Sequence, residues 1–155
     1  MESHADRVIV RRAELADVST LCGLLGLLFG QEADFHPDHE KQERGLRMIL
    51  KCGETGRIFC AEYPDAGVVG MVSILFTVST AEGGRVAWLE DMIVHPEWRG
   101  SGIGEMLLRQ AITAARDVGC KRITLLTDEG NHAAMRYYSR GGFVRSGMIP
   151  FRLKL

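Results

Sequence analysis

Four cysteines stand at 22, 52, 60 and 120 with no C-x-x-C spacing anywhere, which removes the zinc-ribbon and disulfide-frame classes of small protein. Cys22, Cys52, Cys60 and Cys120 read instead as reduced, mostly buried thiols, and the compartment expected from them is the cytoplasm. Charge of one sign is also missing. Nineteen Lys and Arg face 20 Asp and Glu, so no basic surface recruits nucleic acid or an anionic membrane. A long apolar run is absent. Val18 to Phe29 comes nearest, but it falls short of the roughly 20 residues a membrane helix needs, contains Ser19 and Thr20, and sits too late for a signal peptide. His36 and His39 share an acidic stretch with Asp34, Asp38 and Glu40, yet their i, i+3 spacing across Pro37 offers no third ligand, and no metal is expected. No internal repeat, low-complexity tract or linker divides the chain, so its 155 residues are assigned to a single domain, 1–155, long enough to bury a core.

What is present is strand and helix periodicity in mixed order. Val8 to Arg11 reads as a first strand. Asp17 is positioned to cap a helix whose Val18, Leu21, Leu25 and Leu28 recur at helical spacing and which Gly30 ends. A second helical stretch passes through Leu46, Ile49 and Leu50. Arg57 to Tyr63, Val68 to Val78 and Arg85 to Val94 are β-branched and apolar, separated by glycine-containing turns, and predict an antiparallel meander. From Gly104 to Val118 an apolar stripe at Leu107, Leu108, Ala111, Ala115 and Val118 predicts a helix lying on the sheet, capped by Gly119. Ile123 to Thr127 then reads as a strand parallel to the one carrying Glu90, because a helical crossover separates them. After a helix bearing Tyr137 and Tyr138, Phe143–Ser146 and Phe151–Leu155 are expected to close a short hairpin around Gly147 and Pro150.

The most informative stretch runs from Glu90 to Gly104. An apolar strand ending Val94-His95-Pro96 meets a turn with glycines at 100, 102 and 104, and the turn opens into the amphipathic helix. Glycines let backbone N–H groups approach an anion, the helix directs its positive end at the same point, and Arg99 adds a fixed charge. A dinucleotide fingerprint would need a further glycine where Glu105 or Leu107 stands, and a P-loop would need Lys-Ser/Thr after the last glycine. The sequence therefore points to a pyrophosphate that belongs to neither NAD nor ATP.

Arg99-Gly100-Ser101-Gly102-Ile103-Gly104 resembles the Arg-x-x-Gly-x-Gly loop of the GNAT superfamily of N-acetyltransferases. Asn131-x-x-Ala134-x-x-Tyr137-Tyr138-x-x-x-Gly142-Phe143 is similar to that family's later element, and Arg12-Ala13-Glu14-x-x-Asp17 to its opening signature, so the resemblance covers almost the whole chain. The resemblance implies a mixed α/β fold: a central, mostly antiparallel twisted sheet of six to seven strands with a parallel splayed pair, flanked by about four helices. It also implies acetyl-CoA as cosubstrate, no metal, and an acceptor amine of small-molecule size. A protein N-terminus or lysine is the alternative acceptor, and a non-catalytic acyl-CoA sensor the alternative function. Many relatives dimerise through the sheet edge, although no residue here marks the interface of a homodimer.

By the same resemblance, backbone groups of Met92, Ile93 and Val94 pair with the pantetheine arm and hold the oxyanion. Arg99, Gly100, Ser101, Gly102, Ile103 and Gly104 cradle the pyrophosphate; Asn131, Ala134 and Tyr137 complete the cofactor contacts, with an N-cap role for Asn131 and a core role for Tyr137 as the plainer readings. Tyr138 matches the tyrosine that protonates the leaving thiolate, a task suited to a phenol with a pKa of about 10; its alternative is aromatic core. An alkyl amine is mostly ammonium at neutral pH, and freeing its lone pair costs roughly 4 to 5 kcal/mol, so a base or water relay is required. Glu90 is the candidate base, placed by period-2 alternation on the face of Trp88 and Met92; binding the substrate ammonium, or ceding the role to Asp91, are its alternatives. The acidic residues Glu32, Asp34, Asp38, Glu40 and Glu43 either favour a cationic acceptor or form a solvated face.

Overall fold

The meander is realised as three long strands, β2 (Gly56–Tyr63), β3 (Gly67–Ser79) and β4 (Gly84–Val94), in a computed structural model that describes residues 4–31 and 37–155. Their joints depend on positive-φ positions, Asp65 and Gly67 in one turn and Gly83 in the other. β1 (Ile9–Arg12) adds antiparallel to β2, and β5 (Ile123–Leu125) adds parallel to β4, giving the order β1-β2-β3-β4-β5.

Strand alternation sends successive side chains to two separate cores. On one face Phe59, Ala61, Val72, Ile74 and Leu89 pack with Ile103, Leu107, Leu108 and Ala111 of α3 (Ile103–Asp117), and Tyr137 and Tyr138 of α4 (His132–Arg140) seal that layer. On the other, Ile58, Cys60, Met71 and Ile93 meet α1 (Val18–Phe29) and Leu46 of α2 (His39–Lys51). The result is a mixed α/β fold of three layers, helices above and below a sheet.

Three expectations change. The described residues form five strands rather than six to seven, because 143–155 makes no hairpin. Neither half of that stretch is a strand; between them Met148 gives its N–H to the Ser146 hydroxyl at 3.1 Å and Pro150 has no N–H to give a ladder. The strand expected over Ile123–Thr127 ends at Leu125, where its neighbour diverges. Asp17 heads α1 without capping it, since a short 3₁₀ turn, Leu15–Asp17, leads directly into that helix. Its carboxylate is gripped at both oxygens by Arg11, each at 2.9 Å, and also accepts the Glu14 N–H at 2.7 Å. Arg11 additionally reaches Glu62 on β2, so this one cation ties β1, β2 and the start of α1 together. Cys22 and Cys60 are buried, Cys120 is half-buried and Cys52 exposed, all four unpaired.

The Arg11 grip and the Glu14 N–H hold the Asp17 carboxyl below its usual 3.8. A depressed carboxylate pKa contributes stability at pH values above the unfolded-state pKa and loses it as pH falls through the folded one. Asp17→Ala is expected to cost about 2 kcal/mol at neutral pH, as loss of a charge-assisted contact, and to flatten the decline in stability below about pH 4. Urea titrations of both proteins across the acid range measure this.

Candidate active site

β4 and β5 are in register over Ala87–Ile123, Trp88–Thr124 and Leu89–Leu125, and the residues leading into β5 also bond to β4, Ala87 N–H to the Arg122 carbonyl at 3.0 Å and Lys121 N–H to the Arg85 carbonyl at 2.9 Å. Beyond Leu89, β4 runs on to Val94 with partners on the β3 side alone, while the chain after Leu125 turns away. The parting opens a cleft of about 600 Å³ with Glu90, Met92, Ile93 and Val94 on one wall and Leu126, Thr127 and Asp128 on the other. Backbone groups on the open side of β4 thus face the gap instead of a neighbouring strand.

The cleft begins at a β-bulge. Ser73 is opposite Asp91, yet the next residue of β3, Ile74, is opposite Leu89, so Glu90 is the extra residue. Ser73 is fully buried; its hydroxyl accepts the Asp91 N–H and donates to the Asp91 carboxylate, both at 3.1 Å, pinning the irregularity. The bulge reverses the alternation: Leu89 packs on the α3 side, whereas Ile93 packs on the α1 side and Met92 on the α3 side. Trp88 and Met92 therefore occupy opposite faces, contrary to the alternation argument, and Glu90 reaches the cleft because it is bulged. Glu90 is exposed there.

At the far end stands the glycine loop. Gly100 and Gly102 have φ of 76° and 85°, conformations that favour glycine, and Gly102 is the residue from which α3 starts. First-turn N–H groups of a helix have no acceptor inside it, so those of Ile103, Gly104 and Glu105 are available to an anion. Arg99 donates through Nε to the Val94 carbonyl at 3.0 Å, fixing the cation where β4 ends. Two members of the expected set do not present side chains to the cleft. Ile103 is 1% exposed in the α3 core, and the Ser101 hydroxyl is bonded to the Trp98 carbonyl. Their contribution is confined to backbone.

α4 supplies the other rim. Asn131 caps it, accepting the Ala134 N–H at 3.1 Å, and lines the cleft. Ala134 and Tyr137 follow at i+3 spacing, Tyr138 stands at i+4 from Ala134, and all three line the same space. The two rings meet edge-on at 5.2 Å, and Tyr138 meets Phe143 at 5.7 Å. Burial raises both phenols to about 12; Tyr138 has no second cause, while Tyr137 is raised further by Tyr138 and Glu105. The Tyr137 hydroxyl is buried with no hydrogen-bond partner among the described residues, lying 3.2 Å from where a Cβ at Gly104 would stand.

Of the acidic stretch, Asp38 is spent capping α2 through the Lys41 N–H and Glu43 pairs with Arg47 at 2.8 Å, so neither faces the cleft. Glu32, Asp34 and His36 lie outside the described residues. Sequence reasoning missed Asp128, Glu105, Arg140, Leu28 and Gln31, which also line the cleft. Asp128 had a usable signal, since it follows the carboxyl end of a parallel strand, where α/β sheets bind ligands.

The site is thus a parallel strand pair that parts beside the N-terminus of α3, with unpaired backbone on one wall and first-turn N–H groups at one end. Residues 24–143 match the model of the acetyltransferase (GNAT) family, and the chain belongs to that family. It is 31% identical over 134 residues to the aminoglycoside N(6')-acetyltransferase type 1 of Stenotrophomonas maltophilia, covering 82% of each chain. It is 29% identical over 97 residues to the glucosamine 6-phosphate N-acetyltransferase of Trypanosoma brucei brucei, spanning 62% of this chain and 63% of that relative. The fold is shared with an aminoglycoside N-acetyltransferase AAC(6')-Iy solved in complex with CoA, at a TM-score of 0.81 and 18% identity, over 99% of this chain and 97% of that one. Among the described residues no helix is long and apolar enough to cross a membrane, and no cluster of His, Cys, Asp and Glu could hold a metal.

Gly102→Ala is expected to cost about 1 to 2 kcal/mol through its left-handed backbone. Tyr137→Phe, which removes a buried hydroxyl lacking a partner, is expected to leave the ligand-free protein equally or more stable. Thermal melts of the two variants distinguish these signs.

Proposed function

We propose that this protein transfers the acetyl group of acetyl-CoA to the primary amine of a small metabolite by direct attack in a ternary complex. The observation that carries the reading is the cleft itself: the open edge of β4, the N-terminus of α3 and the two tyrosines of α4 all border one space. Its donor set suits acetyl-CoA. The N–H groups of the glycine loop with Arg99 match a pyrophosphate, and the orphaned Tyr137 hydroxyl beside Gly104 lacks only an acceptor from a ligand. Acetyl-CoA supplies an acyl carbon activated by a thiol leaving group.

The chain's own residues account for the remainder. Glu90, exposed on the bulge, takes the ammonium proton through water and releases the amine lone pair. The amine nitrogen then bonds to the thioester carbon, and N–H groups along Met92 to Val94 stabilise the charge that develops on its oxygen. As the carbon–sulfur bond breaks, Tyr138 gives its proton to the thiolate, and the nitrogen, left with one proton too many for a neutral amide, returns that proton through water to the Tyr138 phenolate. Burial raises the Tyr138 phenol to about 12, so it keeps that proton throughout the neutral range. Carboxylates at Glu90 and Asp128 suit a cationic acceptor. A small amine also accords with the aminoglycoside and glucosamine 6-phosphate named for the relatives.

Thiol release from acetyl-CoA over a panel of small amines, peptides and aminoglycosides, beside calorimetric binding of CoA, tests the reading. Turnover with a small amine is the expected result. CoA binding without turnover across the panel would favour a sensor, and no CoA binding would overturn the cradle. With an acceptor in hand, Tyr138→Phe is expected to lower kcat by about 10²-fold or more while CoA affinity stays within a few-fold; unchanged kcat would remove the acid role.

A further inference from the structure

Trp88 is 38% exposed although β4 has a neighbouring strand on each side, so its ring is uncovered on a face of the sheet and not at an edge. The register says which face. Ala87 and Leu89 pack on the α3 side, so Trp88 between them points to the α1 side, and its cross-strand partners, Leu75 on β3 and Thr124 on β5, stand there with it. The core beneath α1 and α2 takes Ile58, Met71 and Ile93 from that face but neither Trp88 nor Leu75. The two helices thus cover the end of the face nearer the glycine loop and leave a shelf of indole and leucine bare beyond it.

The shelf adjoins the cleft. Glu90 stands two residues beyond Trp88 on β4, and Leu126, two residues past Thr124 and 55% exposed, belongs to the cleft wall. Leu28 near the end of α1 and Gln31 just past it also line the cleft, so it opens on the α1 side, whereas α3 and the two tyrosines border it from the other. The carboxylates of Glu90 and Asp128 have no partner among the described residues. The α3 side therefore offers N–H groups to an anion, and the α1 side offers negative charge beside an apolar surface.

We propose that Trp88, with Leu75 and Leu126, is the surface on which the carbon skeleton of the acceptor lies, and that the acceptor is a primary amine on an aliphatic chain and not a polyhydroxylated amino sugar. Resting on the acetyl-transfer reading, this assignment names the body of the acceptor as well as its amine. Residues two apart on a strand are separated by about 7 Å, a distance that a chain of a few methylenes spans from an ammonium at Glu90. Each methylene laid against the indole or a leucine leaves water and raises kcat/KM by about 3-fold. Sugar hydroxyls on the same surface would lose hydrogen bonds to water with nothing in return.

Initial rates with n-propylamine, n-butylamine, n-pentylamine, n-hexylamine and glucosamine at saturating acetyl-CoA, beside calorimetric binding of CoA, provide the test. The expected result is a kcat/KM that climbs about 3-fold per methylene, roughly 30-fold across the series, with glucosamine below n-hexylamine. Trp88→Ala is expected to flatten the climb to a few-fold, chiefly through KM for the longer amines, and Leu126→Ser, at a more exposed position, to lower it as well. A flat series in the wild type, an undiminished climb in folded Trp88→Ala, or a preference for glucosamine would each overturn the proposal and leave the transfer reading standing. CoA binding with no turnover of any amine would overturn both. Should Trp88→Ala fail to fold, the wild-type series and Leu126→Ser decide.

Discussion

The cleft of this molecule depends on where the β4–β5 pairing stops. The parallel strands are in register over three residue pairs, and after Leu89 and Leu125 they separate. Had the ladder continued to Val94, the backbone of Met92 to Val94 would be consumed by sheet hydrogen bonds and no cleft would exist. The bulge at Glu90 marks the same boundary, its geometry pinned by the buried Ser73 hydroxyl on Asp91. One irregularity thus frees backbone polar groups for a ligand and turns a carboxylate toward the space they face.

The surroundings keep that opening from collapsing. Ile103, Leu107 and Ala111 anchor α3 on the sheet, so the helix N-terminus with its unsatisfied N–H groups is held at the mouth of the gap. The tyrosine pair on α4 leans on Phe143 and on the same core, which raises both phenols and leaves the Tyr137 hydroxyl unsatisfied against Gly104. A buried polar atom without a partner costs stability in the ligand-free protein. Its position at the glycine loop is the kind of local compromise expected where a fold serves a ligand as well as itself.

The glycine spacing, the Asn131 to Phe143 element and the apolar strand and helix periods sufficed to identify the family, the antiparallel meander and the glycine turn that opens α3, because each of those signals is local. The chemistry-bearing side chains were legible as residue types, but their orientation was not. Alternation along Trp88, Glu90 and Met92 is a sound rule for an unbroken ladder, and the bulge invalidates it. For Asp38 and Glu43, where a cationic acceptor or a solvated face were both open, local partners take both carboxylates. Residues 151–155 illustrate the same limit: their period-2 pattern reads as a strand, yet a strand exists only where another backbone meets it.

What the sequence determined by itself, then, is the order and type of the elements as far as α4 and the glycine turn from which α3 starts, since backbone conformational preference and hydrophobic period act over a few residues. Only the tertiary structure decided the five-strand sheet, the parting of β4 from β5, the reversal of faces at Glu90 and the burial that raises Tyr138. These depend on pairings between segments distant in the chain, and a one-residue change of register inverts which side chains they bury.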